Sequence, residues 1–241
     1  MTNSFLSAIT YAIRDTRENP YFEWKYFIHP HEAPSLEKLL ELRYGINTPF
    51  RYSKIKTIYF DTPELKSYYE SVNGDYAKVK VRLREYLEPK DAAGFLLEAK
   101  VKRGNEVGKY KIYLPPSFKP SGRTLHDILR QIKKEYSSET RALENLLDSH
   151  PVNWLPMVEV SYIRKRYLRI DKEERYNLDT NISAEVVYSN LSYKRSFKAF
   201  PFSIFEAKGP GVDQSRKEFN LSRFRTAFSK YAYAVESLCE L

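Results

Sequence analysis

In the stretch KVKVRLREY, Lys78, Lys80, Arg82 and Arg84 stand at alternate positions with Val79, Val81 and Leu83 between them. A period of two is the strand period, so this segment is apolar on one side and positive on the other. The same alternation recurs in other runs. Glu98, Lys100 and Lys102 oppose Leu97, Ala99 and Val101 in LLEAKVK, and Lys109 and Lys111 oppose Tyr110 and Ile112 in GKYKIYL. Glu23 and Lys25 oppose Phe22, Trp24 and Tyr26, Arg175 aligns with Asp179 in RYNLD, and Glu206 aligns with Lys208 in FEAK. Crowded cations repel one another unless a polyanion sits among them. Arginine forks and lysine ammonium groups suit phosphate oxygens, while Glu98, Glu206, Glu23 and Glu159 offer hard oxygen ligands to a divalent ion. The pattern points to metal and phosphate chemistry.

For any one strand the simpler account is the wet face of an antiparallel sheet, with lysines guarding its edges. Against it stand the repeated choice of arginine and the many apolar strand faces that need cover. A closed antiparallel β-barrel of about eight strands, α+β in class, with a charged interior and helices outside, meets both conditions. Helix signals are few. SLEKLLELRYG predicts a helix capped by Ser35 and ended by Gly45, and DTPELKSYYESVNG one with Thr62 as N-cap, Pro63 first and Gly74 as stop. The runs TLHDILRQIKKEY and SETRALENLLDSH predict two helices, read as a helical insertion at about 116–156, and a final helix is expected from about Ser222 to Leu241. The remainder is strand-like, with RYNLDT and ISAEVVYS read as separate runs, and a single domain over 1–241 is expected.

Lys and Arg outnumber Asp and Glu by 40 to 31, a net charge of +9 that favours anionic partners. Cys239 is the only cysteine, which excludes an internal disulfide and fits a reducing compartment, so a cytoplasmic location is expected. The first twenty residues read as an amphipathic helix and not as a signal peptide. His29, His31, His126 and His150 lack metal-ligand spacing, and there is no GxSxG nucleophile elbow. Phosphoryl transfer needs no protein nucleophile, because alignment and charge neutralisation carry it.

The ordered series FEWKY, IYFDT, VRLREY, LEAK, GKYK, YIRKRY, RYNLDT, FEAK and FSKY resembles the triphosphate tunnel metalloenzymes, most closely the VTC (vacuolar transporter chaperone) polyphosphate-polymerase domain. The resemblance implies that Lys25, Arg82, Arg84, Lys100, Lys111, Arg164, Arg175 and Lys230 hold phosphates in a tunnel. It implies substrate contacts from Lys80, Lys109 and Lys208, and Mn2+ or Mg2+ held by Glu206 with Glu98 and Glu23. ATP would be the donor and inorganic polyphosphate the growing chain, with a membrane partner protein at the cytosolic face. Strict alternation puts Glu159 and Arg164 on opposite faces, so either a bulge intervenes or Glu159 lies outside the site. One rival is a tripolyphosphatase, a triphosphate hydrolase on the same fold. A nucleic-acid-binding barrel is the other, and carboxylates on the cationic faces disfavour it, so no nucleic acid is expected.

Overall fold

The computed structural model describes residues 22–44, 51–90, 93–104, 106–120, 124–148, 153–170, 173–188, 190, 192–210, 218–219, 225–226 and 228–241. The expected N-terminal helix, Gly45, His150 and the expected start of the last helix lie outside them. In chain order the elements are β1 (Phe22–Ile28), α1 (Ala33–Tyr44), β2 (Tyr52–Asp61), α2 (Lys66–Val72), β3 (Ala77–Glu88), β4 (Gly94–Arg103) and β5 (Glu106–Leu114). Then follow α3 (Leu125–Ile132), α4 (Ser137–Asp148), β6 (Leu155–Arg169), β7 (Glu174–Val186), β8 (Phe197–Ala199), β9 (Ser203–Gly209), β10 (Arg225–Thr226) and α5 (Lys230–Leu238). The described residues form two compact units, one containing Ile58–Glu85 and Gly94–Met157, the other the described residues from Phe22 to Thr57, Tyr86–Ala93 and Val158–Leu241.

The first unit holds the Ile58–Asp61 end of β2 and the strands that follow it in the order β2-β3-β4-β5. The apolar alternation of β3, β4 and β5 buries Val79, Val81, Leu83, Leu97, Ala99 and Ile112 against Leu125, Ile128, Leu129 and Ile132 of α3 and Leu143 of α4. Thr124 starts α3 in a capping box: its hydroxyl accepts from the Asp127 N–H, and the Asp127 carboxylate accepts from the Thr124 N–H. The cap of α2 differs from expectation. The helix begins at Lys66, and the buried Asp61 accepts from the N–H groups of Thr62, Ser67 and Tyr68 at 2.7, 2.8 and 3.0 Å. A full carboxylate satisfies several orphan donors, so Asp61 displaces the neighbouring Thr62 hydroxyl from the main capping role.

In the second unit the order is β10-β1-β9-β7-β6-β2, with β8 on β7. Trp24, Tyr26, Tyr167, Tyr176, Leu178, Phe205 and Ala207 form its core with Leu36 and Leu40 of α1. That helix begins at Ala33, before the expected Ser35 cap, because a His29–Glu32 turn already bonds the Ala33 N–H to the His29 carbonyl at 3.2 Å. RYNLDT and ISAEVVYS prove to be one strand, β7, kinked at Asn181, whose φ is 51°.

The fold is therefore α+β with mostly antiparallel strands. The strand orders end at β5 in one unit and at β10 in the other, so hydrogen bonding does not close the expected barrel among the described residues. No described helix is long and apolar enough to cross a membrane.

Candidate functional site

In the second unit, register converts strand alternation into cross-strand rows on the face opposite the aromatic core. Glu23, Lys208 and Arg175 form one row, and Lys25, Glu206, Asn177 and Arg166 the next. Phe27, Ile204, Asp179 and Arg164 form the third. The last pairing depends on a register shift between Ser161/Ser183 and Ile163/Thr180, where β7 carries one residue more than β6. The bulge is thus on β7. β6 itself keeps its alternation, so Glu159 lies on its other face, bound to Lys56 at 3.2 Å, and takes no part in these rows.

Asp179 is the anchor of the third row. Fully buried, it accepts from Arg164 Nε and Nη2 at 2.6 and 2.7 Å and from Lys230 Nζ at 2.6 Å. Burial alone would push its carboxyl up, but Arg164 and Lys230 outweigh that and hold it at about 2. Burial likewise opposes charge on Arg164, and Asp179 overcomes it. Ser229 caps α5, its hydroxyl accepting from the Ala232 N–H, which places Lys230 at the first helical position. Both cations lie over the Tyr162 ring, Arg164 at 5.4 Å and Lys230 at 4.9 Å from its centroid.

Glu206 occupies the middle row. Asn177 Nδ2 donates to it at 3.0 Å, and Lys208 and Arg164 approach to 3.2 and 3.6 Å. Burial would raise its pKa, yet Lys208, Lys25 and Arg164 keep it well below the usual carboxylate range. Glu23 completes the group, 3.1 Å from Lys25 and 3.9 Å from Lys208. Lys25 also donates to the Phe228 carbonyl at 3.1 Å.

The first unit holds a separate charged set. Glu98, almost buried, pairs with Arg82 and stands opposite Lys111 in register, while Lys100 stands opposite Lys109. Burial would raise the Glu98 carboxyl, but Arg82, Arg84 and Lys111 bring it down to about 2. Arg84 is buried, and Lys80 shares the alternation of Arg82 and Arg84 on β3. Lys25, Glu23, Arg164, Arg175, Glu206, Lys208 and Lys230 are thus gathered in one unit, and Lys80, Arg82, Arg84, Glu98, Lys100, Lys109 and Lys111 in the other.

Sequence reasoning missed the anchoring role of Asp179, the contact of Asn177 with Glu206 and the Tyr162 platform. The only signal for the first two was their shared alternation with Arg175 in RYNLD. Among the described residues no group of three His, Cys, Asp or Glu side chains comes together to hold a metal. The ionised Glu206 beside Glu23 still fits an ion such as Mg2+, which keeps several waters and is bound through one or two carboxylates plus substrate phosphates.

In structure the chain is similar to a proposed adenylate cyclase from Bacillus halodurans, at 13% identity and a TM-score of 0.54, over 89% of this chain and 98% of that one. A conserved hypothetical protein from Pyrococcus furiosus matches at 10% identity and 0.46, over 89% and 99%. A proposed adenylyl cyclase from Hippeastrum with a dominant triphosphatase activity matches at 14% and 0.45, over 89% and 94%. At such identities the likeness to the Bacillus protein bears on fold alone. No curated protein sequence matches the chain. The VTC domain family model matches residues 20–239, which takes in every strand and helix described above, and the chain therefore belongs to the VTC domain family.

Proposed function

We propose that the protein is a polyphosphate polymerase that transfers the γ-phosphoryl group of ATP to the end of an inorganic polyphosphate chain. The observation that carries this reading is the second unit's sheet face, where Lys25, Arg164, Arg175, Lys208 and Lys230 surround carboxylates held ionised, in a chain of the VTC family. A terminal polyphosphate oxygen attacks the γ-phosphorus, the bond from that phosphorus to the β,γ-bridging oxygen breaks, and ADP leaves. The lysines and arginines hold phosphate oxygens in line and offset the charge that develops on the transferred group. Glu206 and Glu23 would hold Mn2+ or Mg2+, which when bound supplies further charge neutralisation on the phosphates. Asn177 orients Glu206, and Asp179 fixes Arg164 and Lys230. Arg82, Arg84, Lys100 and Lys111 of the first unit form a second cationic set whose forks and ammonium groups suit phosphate oxygens.

The same residues would serve a triphosphate hydrolase if water replaced the polyphosphate end. Incubating the protein with ATP and Mg2+ or Mn2+, and following products by phosphorus NMR, separates the two. The polymerase reading expects ADP together with signals of internal chain phosphates. Orthophosphate without chain phosphate would assign hydrolysis instead.

A further inference from the structure

Towards one end of the second unit's charged face the chemistry changes. Phe27 follows Lys25 by two residues on β1 and so shares its face, and Phe202, in the bend just before β9, packs its ring against Phe27. Phe27, Phe202, Phe228 and Tyr233 are each only half-buried. Their rings gather around Phe202, whose centroid lies 4.3 Å from Phe27, 5.5 Å from Phe228 and 5.1 Å from Tyr233, with the buried Phe200 at 5.7 Å. The cluster is fastened to the charged rows at two points. Lys25 Nζ donates to the Phe228 carbonyl, and Lys230, two residues further on, reaches Asp179.

We propose that this aromatic cluster is a nucleobase subsite, on which the base of a nucleoside triphosphate stacks while its phosphates run along β1 past Lys25 towards Glu23. The inference rests on the reading above that these rows hold phosphates. Successive same-face residues on a strand are about 7 Å apart, so Lys25 lies roughly 7 Å and Glu23 roughly 13 Å along β1 from Phe27. That run from aromatic to cationic to carboxylate positions follows the order of base, phosphates and metal in a metal-bound nucleotide. Half-exposed rings offer π-faces, and stacking on them accepts any base, so the subsite distinguishes a nucleotide from an inorganic triphosphate more than one base from another.

The test is calorimetric titration of the full chain with Mg2+-ATP and with Mg2+-tripolyphosphate, for the wild type, Phe202→Ala and Phe202→Leu. Leucine keeps apolar volume and packing but removes the ring face. The expected result is a ratio of ATP to tripolyphosphate affinity that falls about tenfold in both variants, with tripolyphosphate affinity unchanged. A ratio that stays at the wild-type value in Phe202→Leu, or a parallel fall in both affinities, overturns the subsite. Failure of the wild type to bind either ligand would instead remove the phosphate reading on which the subsite rests.

Discussion

Asp179 shows how much of the candidate site is decided by single buried groups. Its ordinary value of 3.8 drops to about 2 because Arg164 and Lys230 stabilise the ionised form more than burial disfavours it. A depressed folded-state pKa contributes stability that is fully present above about pH 4 and is lost as pH falls from there to about 2. The roughly two-unit shift corresponds to a contribution on the order of 2 kcal/mol. Asp179→Asn should therefore melt well below the wild type at neutral pH, since it strands two half-buried cations at a cost of up to about 3–5 kcal/mol, and the gap should narrow between pH 4 and pH 2. Thermal melts of both proteins across that range check this. Asn177 is the second such group. Asn177→Asp would replace the amide donor to Glu206 by a like charge, raise the Glu206 pKa and move the acid limb of the pH–rate profile upward, with turnover at neutral pH down by roughly tenfold. Arg164 was legible because it stands in a recognisable motif. Asp179 and Asn177 were not, because their partners come from β6 and β9, and sequence alternation shows faces without showing register.

At the scale of elements, alternation located β1, β3, β4, β5 and β9 well, since each carries an apolar stripe that has a core to meet. It broke at β7, where Asn181 in the left-handed region adds one residue and interrupts the period of two. Beyond the bulge Ile182 and Ala184, not Asn181 and Ser183, share the face of Asp179, and a single strand reads as two. Asn tolerates a positive φ and a β-branched residue does not. Asn181→Gly should leave stability within a few tenths of a kcal/mol, whereas Asn181→Val should lower it by about 1–3 kcal/mol in urea unfolding. The apolar side of β3 gives a stronger contrast. Val81 is fully buried under α3 and α4, so Val81→Asp should unfold the first unit, read as lost protection of β3 and β4 amides in hydrogen exchange. Helix starts were the least legible feature. Asp61 caps α2 from the end of a strand, and a histidine turn starts α1, so neither start is signalled by the residue next to the helix.

For the molecule as a whole, the net charge of +9 is the most direct clue to an anionic partner, and the cationic side chains on alternating strand faces say where it would bind. Family membership was legible because nine short motifs keep their order along the chain. Closure of the barrel was not, because hydrogen bonding at sheet ends depends on residues far apart in sequence. Tripolyphosphate at a hundred times its dissociation constant should stabilise the protein by about 2.7 kcal/mol, seen as a raised melting temperature. That increment should shrink as salt screens the cations. The proposed function requires the charged face of β1, β9, β7 and β6 to perform metal-assisted phosphoryl transfer and not to serve only as a structural salt-bridge network. Incubating wild type and Glu206→Gln with ATP and Mn2+ and resolving the product on a gel separates the two. Polymer and ADP are expected from the wild type, and no polymer from Glu206→Gln, although that variant still binds ATP. Polymer made by Glu206→Gln at the wild-type rate would contradict that requirement.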